Sequence, residues 1–299
     1  MGNELKIRNY QRQETGDAAA YERLKEGAVF AHLLTKPGYS VDLDLFFAET
    51  NSIFVGFINV IPELGINRVV LDYAVQLRKN FGEVIPALMK PALNRAKELG
   101  AAVAHVGVPA LDMEQVIVLE SLGFKLVRRF CDLQLNISDI DLGSTERIDW
   151  AYRYFRDDDM QLLSGIQNRC FAGEWGYNPN TVEDTAWQLT VRKNCPEDII
   201  LALDRDQVIG YCWTESECGL EPSTGVPKGR VYMLGVDKQY RGKGLGRQLL
   251  TMGLAHLKKQ GRELIEITVD TQNMVAIALY NSLGFHLCRE TAFYEKSLG

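Results

Sequence analysis

The sequence predicts an α+β (α/β) fold written twice in tandem, each copy a mixed, mostly antiparallel sheet flanked by helices. Three observations carry that expectation. The chain repeats itself at a fixed offset, its second half alternates strand and helix periodicities in a readable order, and a glycine-rich turn joins one strand of that half to a helix.

Ser121-Leu122-Gly123-Phe124-Lys125-Leu126-Val127-Arg128 nearly reproduces Ser282-Leu283-Gly284-Phe285-His286-Leu287-Cys288-Arg289, a separation of 282 − 121 = 161. The same offset joins Val75 to Val236, Leu88 to Leu249, Leu93 to Leu254 and Gly100 to Gly261. Upstream it shortens to 210 − 56 = 154 between Gly56 and Gly210, because the second copy carries the loop Cys218 to Lys228. One offset across helix, strand and turn indicates duplicated domains rather than a solenoid, whose periods are about 20–50 residues. The polar stretch Asn136 to Thr145 is the expected boundary, giving domains over 1–140 and 146–299.

A chain of 299 residues accommodates two such domains. A net charge of −6 without a block of like charge argues against nucleic acid, which binds basic surfaces. No apolar run approaches the roughly 20 residues of a membrane helix. The start, Met1-Gly2-Asn3-Glu4-Leu5-Lys6, does not read as a signal peptide, so a cytoplasmic protein is expected. Cys131, Cys170, Cys195, Cys212, Cys218 and Cys288 form no Cys-x-x-Cys pair, and the 4 histidines are scattered. Free thiols and no metal are the expectation.

In the second copy, Thr181 is read as the N-cap of a short helix. Ile199 to Leu203 and Val208 to Thr214 flank the turn Asp204-Arg205-Asp206-Gln207, which makes a hairpin. Val231 to Val236 is the next strand. Leu245, Leu249, Leu250, Leu254 and Leu257 recur at helical spacing up to Gly261. Ile265, Ile267 and Val269 alternate with Glu266, Thr268 and Asp270, the pattern of a half-buried strand. Asn273 to Leu283 is a second amphipathic helix, and Phe285 to Tyr294 closes the sheet.

Between the strand ending at Val236 and the helix stands Arg241-Gly242-Lys243-Gly244-Leu245-Gly246-Arg247. Glycines at 242, 244 and 246 leave backbone N–H groups uncovered at a helix N-terminus, an anion nest. Arg241, Lys243 and Arg247 bring formal charge. A dinucleotide fingerprint would need glycine where Arg247 stands, and no P-loop spacing occurs. Downstream follows Asn273-x-x-Ala276-x-x-x-Tyr280.

These residues resemble the GNAT superfamily of acyl-CoA N-acyltransferases. Its Gln/Arg-x-x-Gly-x-Gly/Ala motif is matched by Arg241, Gly244 and Gly246, and its Asn-x-x-Ala-x-x-x-Tyr motif by Asn273, Ala276 and Tyr280. The likeness covers the chain from Ile148 onward. The duplicated layout, Trp213-Thr214 and the run Val231 to Asp237 resemble mycothiol synthases more narrowly. The resemblance implies acetyl-CoA as co-substrate and a small-molecule amine as acceptor. It implies that Leu234, Gly235 and Val236 meet the pantetheine arm by backbone, with the Val236 N–H near the thioester oxygen. It also implies that Asn273 contacts the CoA chain and that Tyr280 lies beside the sulfur. In the narrower family a lysine, an acid and a tyrosine stand where this chain has Glu215, Arg230 and Thr268, so a different acceptor is inferred.

The mechanism expected is direct attack of a neutral amine on the thioester, with a carboxylate taking the amine proton through water. Glu215, Glu217, Asp237 and Glu266 are the candidates, and Tyr280 would protonate the departing thiolate. A covalent route through Cys212 or Cys218 has no neighbouring histidine to support it. The run Glu174-Trp175-Gly176-Tyr177-Asn178-Pro179 reads either as an acceptor wall or as a loop anchored on the core. The other functions considered are acetylation of a peptide amine and a non-catalytic acyl-CoA sensor. A monomer or homodimer is expected.

In the first copy Gly244 becomes Glu83, Gly246 becomes Ile85, Arg241 becomes Asn80, Asn273 becomes Asp112 and Tyr280 becomes Leu119. Pro86 and Pro91 are expected to alter its helix. The first domain is therefore expected to be a degenerate, non-catalytic copy.

Overall fold

The structure, a computed structural model, describes residues 4–14, 16–25, 28–76, 81–140, 150–216, 218–221 and 224–299. Asn80, Glu217 and residues 141–149, which include the second half of the expected boundary, lie outside the described residues. The chain divides into two compact units, Met1–Arg129 with Glu290–Gly299, and Phe130–Arg289.

The first unit runs β1 (Leu5–Asn9), α1 (Gly16–Leu24), α2 (Phe30–Leu34), α3 (Val41–Asp44), β2 (Leu45–Thr50), β3 (Ile53–Glu63), β4 (Arg68–Val75), α4 (Phe81–Glu98), β5 (Val103–Pro109), α5 (Met113–Ser121) and the start of β6 (Lys125–Asn136). Its strands pair in the order β1-β2-β3-β4-β5, antiparallel except for the parallel step from β4 to β5. Val84, Ile85, Leu88, Met89, Ala92 and Ala96 bury one face of α4 against that sheet. This helix continues through Pro86 and Pro91, so their effect is confined to two missing N–H donors.

The second unit runs through the end of β6, then β7 (Ala151–Tyr154), α6 (Met160–Phe171), α7 (Val182–Val191), β8 (Ile199–Asp204), β9 (Gln207–Glu215), β10 (Lys228–Val236), α8 (Leu245–Lys259), β11 (Leu264–Asp270), α9 (Met274–Ser282) and the start of β12 (His286–Ser297). The strand order is β6-β11-β10-β9-β8-β7, with the β10–β11 step parallel. Leu245, Leu249 and Leu254 of α8 pack with Ile265 and Ile267 on one face of this sheet. Leu163 and Ile166 of α6 pack with Tyr211 and Trp213 on the other. Thr181 caps α7 as expected: its hydroxyl accepts from the Asp184 N–H at 3.0 Å, and the Asp184 carboxylate accepts from the Thr181 N–H at 2.9 Å.

The units do not divide where the sequence boundary falls. Residues 130–136 of β6 pair with β11 in the second unit, and residues 291–297 of β12 pair with β5 in the first. The two pairings are equivalent under the repeat. Phe130 faces Asp270 and Thr291 faces Pro109, and 291 − 130 = 270 − 109 = 161. Each copy thus contributes its last strand to the other unit. Periodicity in sequence cannot reveal this, because β6 and β12 carry the same inward pattern and either satisfies either sheet.

Candidate functional site

The site is built where β10 parts from β11. Along β9, β10 pairs to its end, with one extra residue, Tyr232, between the pairs Val231↔Thr214 and Met233↔Trp213. Pairing with β11 covers only Lys228–Val231 against Leu264–Ile267. The β11-facing edge of β10 is open from Tyr232 onward. The Asp237 N–H donates to the Ile209 carbonyl at 2.8 Å. Strand alternation therefore turns Gly235 toward β9, and the N–H groups of Leu234 and Val236 toward the opening. Among the three residues expected to meet a pantetheine arm by backbone, Gly235 serves packing instead. A Cβ there would stand 2.5 Å from the Tyr211 ring.

At the far end of β10, Gly242 (φ +75°) and Gly244 (φ +83°) adopt left-handed backbone, with nothing within 4 Å of an added Cβ at either. Gly244 is the N-cap of α8 and offers it no side-chain cap. The first helical bond runs from the Gln248 N–H to the Gly244 carbonyl, so the N–H groups of Leu245, Gly246 and Arg247 have no intrahelical acceptor. The uncovered nest expected from the sequence is present. Its charges are arranged differently. Arg241 donates from Nε to the Val236 carbonyl at 3.1 Å and from Nη2 to the Cys170 carbonyl at 2.7 Å, and stands 3.8 Å from Glu174. It clamps the turn rather than crowning the nest. Lys243 lies over the Tyr240 ring at 5.0 Å, and Arg247 reaches Ser282 at 2.5 Å.

Asn273 caps α9, its Oδ1 accepting from the Ala276 N–H at 3.1 Å, which leaves its Nδ2 available. Tyr280 is 6% exposed, packed with Phe285 and next to Cys212, which lies opposite Leu234 on β9. Its hydroxyl has no hydrogen-bond partner among the described residues. Burial, with the nearby Cys212, raises the phenol above its ordinary value. Cys212 itself is fully buried and pushed up to about 12 by burial, and Cys218 is pushed up to about 11 by burial, which disfavours the thiolate that a covalent route through either would need.

The sheet face opposite α8 carries the expected acceptor residues. Glu215, Arg230, Glu266 and Gln134 form one row across β9, β10, β11 and β6, and Thr268 faces Asp132 in the next. Glu215 is ion-paired with Arg192. Arg192 follows α7 and lies over the Tyr232 ring at 3.5 Å. The Glu266 carboxylate accepts from Gln134 at 2.9 Å and Lys228 at 3.4 Å. Arg230 donates to the Thr268 hydroxyl at 3.3 Å, and Thr268 donates to Asp132 at 2.6 Å. Asp132 also accepts from Arg289 at 2.8 Å. Asp237 is remote from this row: it accepts from Arg169 at 3.0 Å and caps the turn Lys238–Tyr240. Arg192 and the Tyr232 bulge were not anticipated. No spacing marks Arg192, and the bulge is one residue hidden in a longer offset change.

The 174–179 loop divides its roles. The Tyr177 hydroxyl donates to Asn168 at 2.9 Å and its ring stacks on Phe171 at 5.3 Å, the anchored alternative. Trp175 packs on Phe130 at 5.9 Å, on the strand face that carries Asp132. Glu174 is exposed beside Arg241.

In the first unit Phe81, Gly82 and Glu83, which match Gly242 to Gly244, are already helical, and Phe81 and Ile85 are buried. An extra turn of α4 occupies the position of the nest. Leu119, at the place of Tyr280, is a fully buried core residue, and β4 has no bulge against β3.

Residues 160–285 match the family model described as acetyltransferase (GNAT) family. A mycothiol acetyltransferase of Propionibacterium freudenreichii subsp. shermanii is 30% identical over 170 residues, 55% of this chain and 52% of that protein, so the chain spans about half the length of this relative. A mycothiol acetyltransferase of Nocardia farcinica is 27% identical over 84% of this chain and 81% of its own. A tandem GNAT protein from the clavulanic acid biosynthesis pathway superposes with a TM-score of 0.75 at 16% identity over 99% of both chains, a likeness of fold. The split strand, the open helix mouth and the matched motif all lie in the part of the chain, residues 160–285, that matches the acetyltransferase (GNAT) family model.

Proposed function

We propose that the second unit transfers an acetyl group from acetyl-CoA to the primary amine of a small molecule by direct attack in a ternary complex. The observation that carries this is the gap between β10 and β11 opening at the uncapped mouth of α8. A diphosphate on the α8 amides sends the pantetheine arm back along β10. The thiol lies at the opposite end of the cofactor from the diphosphate. The Val236 N–H, nearer the nest, therefore meets an arm amide, and the Leu234 N–H meets the thioester oxygen, a revision of the order that the resemblance implied. The amine lone pair forms the new C–N bond, and its proton passes through water to Glu215 or Glu266. The C–S bond breaks and the thiolate takes a hydrogen bond, then a proton, from Tyr280, which lies near Cys212 and so near Leu234. Acetylation of a peptide amine and acyl-CoA sensing without turnover remain the competing readings. The first unit, whose nest position is helical, is proposed to bind no CoA and to be non-catalytic.

Release of free thiol from acetyl-CoA across a panel of small amines and aminosugars tests the reading. Gly246→Asp isolates the nest. A carboxylate in the first turn suits the helix dipole but repels a diphosphate. Folding should be unimpaired while acetyl-CoA affinity falls tenfold or more, about 1.4 kcal/mol or above. Unchanged affinity would remove the nest from cofactor binding.

A further inference from the structure

Three carboxylates of the acceptor face have a cation beside them: Glu215 has Arg192, Glu266 shares Lys228 with Glu221, and Asp132 has Arg289. Arg230 stands in the row between Glu215 and Glu266, yet among the described residues no carboxylate lies within 4.0 Å of its guanidinium. Its one hydrogen bond is to the neutral Thr268 hydroxyl, and Thr268 is exposed. A guanidinium has five donors in a planar fork suited to carboxylate or phosphate, and most of this fork is uncommitted. It lies two residues before Tyr232, where β10 leaves β11, beside the end of the opening at which the thioester would arrive.

We propose that the acceptor is an amine that also carries an acidic group, carboxylate or phosphate, bound by Arg230 with Thr268. This rests on the acetyl-transfer reading of the same site. Adjacent strands lie about 5 Å apart, so a group on Arg230 leaves an ammonium a few bonds away facing Glu215 or Glu266. A ligand with both charges matches a face on which Glu215, Glu266 and Asp132 already have cations and Arg230 has no carboxylate partner among the described residues. A simple cationic amine would leave Arg230 unanswered and bring a second positive charge beside it.

The test uses matched pairs with the full chain: glycine against methylamine, β-alanine against ethylamine, and phosphoethanolamine against ethanolamine. Both thiol release from acetyl-CoA and calorimetric binding are followed. The acid-bearing member of at least one pair should be favoured about tenfold or more in KM or Kd, as expected for a charged hydrogen-bonded contact. Arg230→Gln should bring that ratio close to one, and Arg230→Lys should keep part of it. The pair that discriminates identifies the anion. A wild-type ratio near one, a ratio unmoved in Arg230→Gln, or no binding by any acid-bearing member overturns the proposal. Binding with the Arg230-dependent preference but without thiol release overturns acetyl transfer and leaves this inference standing. Thiol release without the preference does the reverse.

Discussion

The exchange of final strands makes a prediction that no reading of the sequence as two consecutive domains would make. Tyr294 and Leu133 occupy the same position of the repeat, since 294 − 133 = 161, and face Val106 and Ile267 respectively. Tyr294 is 4% exposed in the core of the first unit and Leu133 is 4% exposed in the core of the second. Tyr294→Ala removes an aromatic ring from a closed core, at a cost of about 3–5 kcal/mol, and Leu133→Ala costs about 2–5 kcal/mol. Hydrogen exchange followed by mass spectrometry localises each loss. Tyr294→Ala should accelerate exchange at residues 103–109 by about a hundredfold or more, the equivalent of 3 kcal/mol, while 264–270 keeps more of its protection. Leu133→Ala should do the opposite. Faster exchange confined to 264–270 in the Tyr294 variant would mean that β12 completes its own copy, and the exchange of strands would be refuted.

Four other outcomes follow from the site. Tyr280→Phe should lower kcat by about tenfold or more while acetyl-CoA affinity barely changes, measured by pre-steady-state thiol release and calorimetry; equal turnover would remove the phenol from the reaction. Because burial holds the Tyr280 phenol above its ordinary value, it stays protonated through pH 10, so kcat should show no alkaline fall from this group between pH 8 and about 10. Arg241→Lys should weaken acetyl-CoA binding as much as Arg241→Ala does, because one ammonium cannot hold both the Val236 and Cys170 carbonyls; rescue by lysine would mean that Arg241 acts through its charge. Arg192→Ala leaves Glu215 without its cation and Tyr232 without its stacked guanidinium, and should raise the acceptor KM more than that of acetyl-CoA.

What the sequence made legible is what depends on neighbours in the chain. The α8 leucines, the Thr181 cap, the hairpin around Arg205 and the glycines at 242 and 244 each follow from local periodicity or local backbone demand, and each stands where expected. What it concealed depends on partners far away in sequence. Arg241 belongs to a motif whose charge suggests phosphate. Only the fold reveals that its guanidinium is spent on the Val236 and Cys170 carbonyls, leaving the nest to bare amides. Glu215 and Glu266 were legible as carboxylates at strand positions, but their committed partners Arg192 and Lys228 were not. The same blindness applies to the strands: β6 and β12 share one pattern because they are copies, and identical patterns cannot say which sheet each one joins. Duplication is therefore what made the fold readable and what hid its connectivity. At this corner the second copy differs from the first by one bulged residue and three glycines. The parting of the parallel strands is common to both, since β4 pairs with β5 only over Arg68–Val70, so what the glycines add is a helix mouth with free N–H groups in place of a helical turn, the element on which a diphosphate depends.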